Sequence, residues 1–383
     1  MAQCLLLEVC ASTLRAPPPP PCLPLPGSCL VRVCGGFGVL GLYLLNDGIS
    51  DDFYPWDWLY YSEKRRQKEH DLNEEEVKSY FSLDQMVEAA FYCANKLFDL
   101  SFQPVSLPLY HKDCKAWEVT KNGEKIALFI GDYFARSSKR SGAWCSAFQS
   151  QAKFPVSQKP IVLNVCNFAK GSPTLLSFDD AGTLFHEFGH ALHQILSNVT
   201  YEPLSGTSVS RDFVELPSQL FEHWLTVPEV LKRFAIHYKT KSPISEKLME
   251  RLIGASNYDM GYQTVEYTSS ALVDLYSHLE DTEKDVMELQ NQILSKIGLP
   301  EAIKMRHATP HFAHVFSGGY YAAAYYSYMW SEVMDADAFS AFEELDNPFD
   351  ANLAKSFEDN ILSKGDSLDP EIAYKRFRGS LPK

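Results

Sequence analysis

A chain of 383 residues is long enough for one large or two medium domains with a substantial core. Its 49 acidic residues outweigh 35 basic ones, and the net charge of −14 argues against nucleic-acid or anionic-membrane partners. Aromatic side chains make up 13% of the residues, which suits a large core and an aromatic-lined cleft.

The first fifty residues differ in kind from the rest. Residues 16–29, APPPPPCLPLPGSC, are proline-rich and unsuited to helix or central strand. Residues 30–45 are apolar, but Gly-Gly and Arg32 interrupt them, and they fall short of the roughly 18 apolar residues a spanning helix needs. A secretory signal would place its apolar stretch first, whereas here the proline run precedes it. Residues 1–50 are therefore expected to be a disordered leader. Five of the nine cysteines lie before residue 35, and Cys93, Cys114, Cys145 and Cys166 are scattered without C-x-x-C spacing. That usage fits a reducing, cytoplasmic compartment better than a disulfide framework.

From Asp51 to the C-terminus the composition is globular. Aromatic residues Tyr54, Trp56, Trp58, Tyr60 and Tyr61 open a charged helix expected through Arg66, and the cluster is read as packing. A second helix is expected over 82–98, with Met86, Ala89, Ala90, Cys93 and Leu97 at core spacing. Residues 115–134 read as a hairpin around Lys121-Asn122-Gly123, and 160–167 as a third strand, so a small sheet is expected over 115–168. Such a strand could present an edge to an extended peptide, although the sequence does not say which edge is free.

Residues 177–198, SFDDAGTLFHEFGHALHQILSN, carry the chemistry. Ser177 with Asp180 predicts a helix cap, and Leu184, Phe188, Leu192 and Ile195 form a buried stripe. His186 and His190 stand one turn apart with Glu187 between them, the H-E-x-x-H pattern that offers two imidazoles to one zinc ion and a carboxylate to a nearby water. His193 lies about 10 Å along the axis from His186, so all three histidines cannot share one ion. A third ligand must come from elsewhere. The segment 211–225, RDFVELPSQLFEHWL, offers Glu215, Glu222 and His223, and spacing alone does not choose between Glu215 and Glu222. Pro217 suits a helix that starts only a few residues before it.

Beyond this point the chain reads as helical over 241–256, 265–278, 285–297 and 352–362, with Glu266 and Asp274 expected to be solvated or structural. LFHEFGHALH, LSGTSVSRDFVELPSQLFEHWL and HFAHVFSGGYYAAAYYSYMWSE together resemble the thimet-oligopeptidase family of zinc metallopeptidases, nearest to its bacterial peptidyl-dipeptidases and oligopeptidases. The resemblance implies a zincin-like catalytic domain over 51–383, mainly α with a small β-sheet. It implies one zinc per chain on His186, His190 and Glu215, with Glu187 as general base. It further implies a tyrosine helix over 321–334 whose Tyr325 and Tyr328 bond the tetrahedral intermediate, and substrate contacts from Arg211, His314 and Tyr321. Tyr320 departs from the family pattern, standing where a further glycine is usual.

Hydrolysis of short peptides by a monomer, releasing C-terminal dipeptides or cutting internally, is the function implied. The family also carries a long helical N-terminal part over the zinc, which this chain does not match. A truncated, inactive fragment that binds zinc or peptide is therefore the alternative expectation.

Overall fold

The computed structural model describes residue 47 and residues 54–382 except 282; the leader expected over 1–50 lies outside these, apart from Asp47. The described residues divide into two compact units, one of residues 54–72 with 254–326 and the other of 73–253 with 327–382.

The larger unit is built on a sheet. Helix α1 (Pro55–His70) belongs to the smaller unit; α2 (Glu74–Lys78) and α3 (Leu83–Phe98) begin the larger one. Strands β1 (Leu100–Val105), β2 (Lys115–Lys121), β3 (Glu124–Phe134), β4 (Trp144–Gln149) and β5 (Ile161–Phe168) follow, in the spatial order β1-β2-β3-β5-β4. The hairpin forms where expected, with Asn122 and Gly123 both at positive φ, the conformation a tight antiparallel turn demands. Sequence reasoning missed β1 and β4. Pro104 weakens the strand signal of β1 and is tolerated because β1 is an edge strand.

Strand β5 pairs parallel to β3 and antiparallel to β4, so it is internal. Its near-continuous burial follows from cover on both faces. On one face, Ala116, Ile130, Leu163 and Val165 form an aliphatic cluster. On the other lies α4 (Phe178–Ile195), whose Phe188 ring meets Phe91 of α3, Phe102 of β1 and Phe129 of β3 at 5.3–5.6 Å.

After α4 come α5 (Arg211–Val214), α6 (Leu216–Glu222), α7 (Pro228–Phe234) and α8 (Glu246–Gly254), the last shorter than the helix expected over 241–256. The smaller unit contributes α9 (Met260–Leu279), α10 (Val286–Lys296) and α11 (Ala313–Phe316). Its core is organised by α1, where Trp58 stacks on Tyr262 at 4.7 Å and donates its indole N–H to Asp259 at 2.7 Å. Trp58 and Tyr61 are buried, whereas Trp56 and Tyr60 are exposed, so the aromatic run packs on one side only.

Helices α12 (Ser327–Glu343), α13 (Ala351–Phe357) and α14 (Pro370–Arg378) complete the larger unit. The helix expected over 321–334 is corrected here: it starts at Ser327, and Tyr321 and Tyr325 sit in turns before it. The three tyrosines therefore do not share one helical face. No described helix is long and apolar enough to cross a membrane.

Candidate metal centre

Local chemistry places α4 first. Ser177 Oγ accepts the N–H of Asp180 at 3.0 Å, and Asp180 returns the bond to the Ser177 N–H at 3.1 Å, satisfying two otherwise orphaned donors. Leu184, Phe188, Leu192 and Ile195 are buried as the stripe predicts, and they lock the helix against its neighbours. His186 and His190 then project from one side, their rings 4.9 Å apart and nearly perpendicular.

The partner element is broken at the right place. Pro217 cannot donate a backbone hydrogen bond, and the helix restarts around it as α6, leaving Glu215 at the junction of α5 and α6. The Glu215 carbonyl accepts from Ser218 Oγ at 2.8 Å and from the Gln219 N–H at 2.9 Å, and Ser218 Oγ also lies 3.0 Å from Glu215 Oε2. Fixed in this way and wholly buried, the carboxylate stands 3.2 Å from His186 Nε2 and 3.0 Å from His190 Nε2. Gly189 allows the approach. A β-carbon there would lie 2.6 Å from the Pro217 carbonyl oxygen and 2.7 Å from Ser218 Cα.

His186, His190 and Glu215 each bring one ligand atom into a group lying within 4.8 Å of one another. Three atoms bound at about 2 Å to one tetrahedral ion stand roughly 3–4 Å apart, and both separations between Glu215 and the histidines fall in that range. Burial favours the neutral form of Glu215, but the charge of His190 and the bonds from both imidazoles hold its carboxyl well below the usual range. Burial works against a charged His186, yet its bonds to Glu215 and Glu222 raise its pKa well above the ordinary value. Two imidazoles around one buried carboxylate form a donor set of N and O atoms suited to a shared cation.

Glu222 has a different place from Glu215. Its Oε1 lies 2.7 Å from His186 Nδ1, on the far side of the ring from Glu215. That contact fixes the His186 ring through Nδ1, with Nε2 turned toward Glu215. His223 is likewise committed, with Nε2 2.9 Å from Asp335 and its ring stacked on Phe339. His193 is completely buried, and burial together with the nearby His190 lowers its pKa to about 3, so it is a neutral core residue.

Glu187 is 5% exposed, and its Oε2 has no hydrogen-bond partner among the described residues. Burial, the foremost cause, raises its pKa, although both ligand histidines oppose this. Arg211 opens α5 and donates through Nη2 to the carbonyls of Thr207 and Val209, bracing the loop that precedes it. Tyr328, half-buried on α12, accepts a bond from Gln219 Nε2 at its carbonyl, 3.0 Å away.

His314, Tyr321 and Tyr325 belong to the smaller unit. There the His314 ring meets Tyr321 at 4.6 Å and Tyr325 at 5.4 Å. Tyr325 is 9% exposed, and burial raises its phenol pKa. Asp274 in that unit is wholly buried, so it is not a solvated carboxylate. Sequence reasoning did not single out Ser218. Gly189 stood out there as a small residue beside the histidine pair, but not the α6 backbone whose approach it admits.

The profile of peptidase family M3 matches residues 43–383. The chain is 42% identical over 340 residues to dipeptidyl carboxypeptidase of Escherichia coli, covering 86% of this chain and 49% of that protein. It is 36% identical over 347 residues to oligopeptidase A of the same organism, covering 87% and 50%, respectively. A plant relative, the organellar oligopeptidase A of Arabidopsis thaliana, is 32% identical over 353 residues, covering 87% and 44%. The chain spans about half the length of these curated relatives. With the family profile matching all but the first 42 residues, the chain belongs to peptidase family M3.

Proposed function

We propose that the chain hydrolyses peptide bonds in short peptides, with one zinc ion held by His186, His190 and Glu215 and with Glu187 as general base. The observation that carries this is the convergence of the three ligand atoms, with the buried carboxyl of Glu187 next to His186 in the chain. Zinc in such a set supplies Lewis-acid polarisation of a carbonyl and acidifies water toward neutrality. Glu187 takes the proton of the attacking water and returns it to the leaving amine, a cycle favoured by a carboxyl whose pKa burial has raised. Glu222 orients His186 through Nδ1.

Strand β4 supports peptide recognition. It is an edge of the sheet and packs beside α4, so its main chain offers pairing to an extended peptide. On the family pattern, Tyr325 and Tyr328 donate hydrogen bonds to the oxyanion, while Arg211, His314 and Tyr321 contact the substrate. Each oxyanion donor of this kind is worth about 2.7–4 kcal/mol in the barrier.

Metal analysis with mass spectrometry of products from a short peptide tests the proposal. One zinc per chain with release of C-terminal dipeptides identifies a peptidyl-dipeptidase, and internal cuts identify an oligopeptidase. A second function is zinc or peptide binding without turnover. Stoichiometric zinc with intact peptide would select it.

A further inference from the structure

The segment between α11 and α12 holds Gly318-Gly319 and four tyrosines, Tyr321 and Tyr325 among them, yet it has no regular structure of its own. Something outside it must set its shape. Ala323 sits at φ +57°, a left-handed conformation that a residue with a β-carbon avoids unless its surroundings impose it.

The imposing group is Asp274 on α9. One carboxylate oxygen accepts the Ala323 N–H at 3.0 Å and the other accepts the Tyr325 N–H at 2.9 Å. Two amides, two residues apart, are thereby turned toward one side chain, which requires the intervening backbone to fold back. Burial pushes the Asp274 carboxyl up, and the two amides with His278 pull it back toward ionisation. His278, one turn later on α9, lies 2.9 Å from Asp274 Oδ1 through Nδ1. Its ring stacks on Phe316 at 5.2 Å and 12°. One turn of α9 therefore grips the segment on both sides of the glycines, at Phe316 before them and at Ala323 and Tyr325 after them.

The same element fixes the Tyr325 ring. Tyr267, also on α9, stacks on it at 5.1 Å and donates its hydroxyl hydrogen to the Tyr325 carbonyl. Phe312 closes the other side edge-on at 4.8 Å. A wholly buried carboxylate is a costly way to hold a loop, since burying a charge is unfavourable unless it is fully bonded. An apolar residue would pack here more cheaply but could not capture two amides at once.

We propose that Asp274, assisted by His278, is the positioning residue that holds the glycine–tyrosine segment, residues 317–325, in the conformation its tyrosines use. The link to turnover rests on the proposed hydrolysis; the anchoring itself does not. Asp274→Asn keeps the volume but replaces one acceptor with an N–H₂ group that faces a backbone N–H.

The experiment is amide hydrogen exchange by mass spectrometry on the full chain, alongside peptide-cleavage kinetics and zinc affinity. For D274N, exchange over 317–326 should quicken at least tenfold, with the sheet and α4 unchanged. The kcat should fall at least tenfold, with KM within threefold and zinc affinity at the wild-type value. Unchanged exchange in that segment overturns the anchor, and quicker exchange with unaltered kcat overturns the positioning role. If D274N loses cooperative unfolding, His278→Ala replaces it, with a smaller rise in exchange confined to the same segment; no rise there overturns the proposal. Should the wild-type chain cleave nothing, the hydrolysis fails as a function while the exchange contrast still decides the anchor.

Discussion

Replacing Gly189 with alanine asks whether close approach of α4 and α6 builds the metal centre. In the middle of a helix this change alone should stabilise by about 1 kcal/mol, because alanine is the better helix former. Here the new methyl would stand 2.6 Å from the Pro217 carbonyl oxygen and 2.7 Å from Ser218 Cα, both backbone atoms that no side-chain rotation can move aside. Ordinary contact begins near 3.4 Å, so α6 must retreat by about 0.8 Å. Overpacking of this kind costs about 1–3 kcal/mol, leaving a net loss of roughly 0–2 kcal/mol. Thermal stability is therefore the weaker readout.

Zinc affinity is the sharper one. Glu215 lies two residues before Pro217 and shares its backbone hydrogen bonds with Ser218 and Gln219, so it travels with α6. Metal–ligand bonds tolerate about 0.2 Å, well under the required shift. G189A should therefore weaken zinc binding at least tenfold in a chelator competition, about 1.4 kcal/mol. Gly182 supplies the control, since a β-carbon there meets nothing within 4 Å in the same helix. G182A should gain stability and leave zinc affinity untouched. If G189A binds zinc within twofold of wild type, the close approach is not what sets the ligand geometry.

Further outcomes follow from the same geometry. Glu187→Gln should abolish peptide cleavage while zinc stays bound at one per chain, as measured by metal analysis and product mass spectrometry; a fully active variant would remove Glu187 as the base. Glu215→Ala should lose the metal, whereas Glu222→Ala should retain it with affinity lowered about 10–100-fold, the usual cost of removing a group that orients a ligand histidine. Acid stability should depend on Asp132, whose carboxyl is lowered to about 2: burial opposes the shift, and Arg136, Tyr110 and Lys139 outweigh it. Its folded pKa lies below the unfolded value near 3.9, so its contribution of about 2 kcal/mol is present above pH 4 and lost as pH falls toward 2. Asp132→Asn should lower stability at pH 7 and flatten that acid limb in denaturant titrations.

What the sequence disclosed and what it withheld divide along a physical line. Ser177, Asp180 and the apolar stripe act within a few residues of one another, so the helix carrying His186 and His190 was legible from local rules alone. The hairpin was legible for the same reason, because Asn122-Gly123 encodes its own turn. Strands β1 and β4 were not, since their identity comes from neighbours: an edge position tolerates Pro104, and β4 is defined by pairing with β5. Glu215 and Glu222 looked alike as spacing; what separates them is which nitrogen of His186 each one faces, a three-dimensional fact.

The tyrosine segment is the most instructive case. Steps of four and three residues suggested one helical face, yet the helix begins only at Ser327. The conflict is resolved by Asp274, about fifty residues upstream, which takes up the amides of Ala323 and Tyr325 and leaves them no part in a helix ladder. A periodic pattern predicts a helix only when its backbone donors have no better acceptor. Here a buried carboxylate outbids the i−4 carbonyl, and the position of the tyrosines becomes a property of α9 rather than of their own sequence.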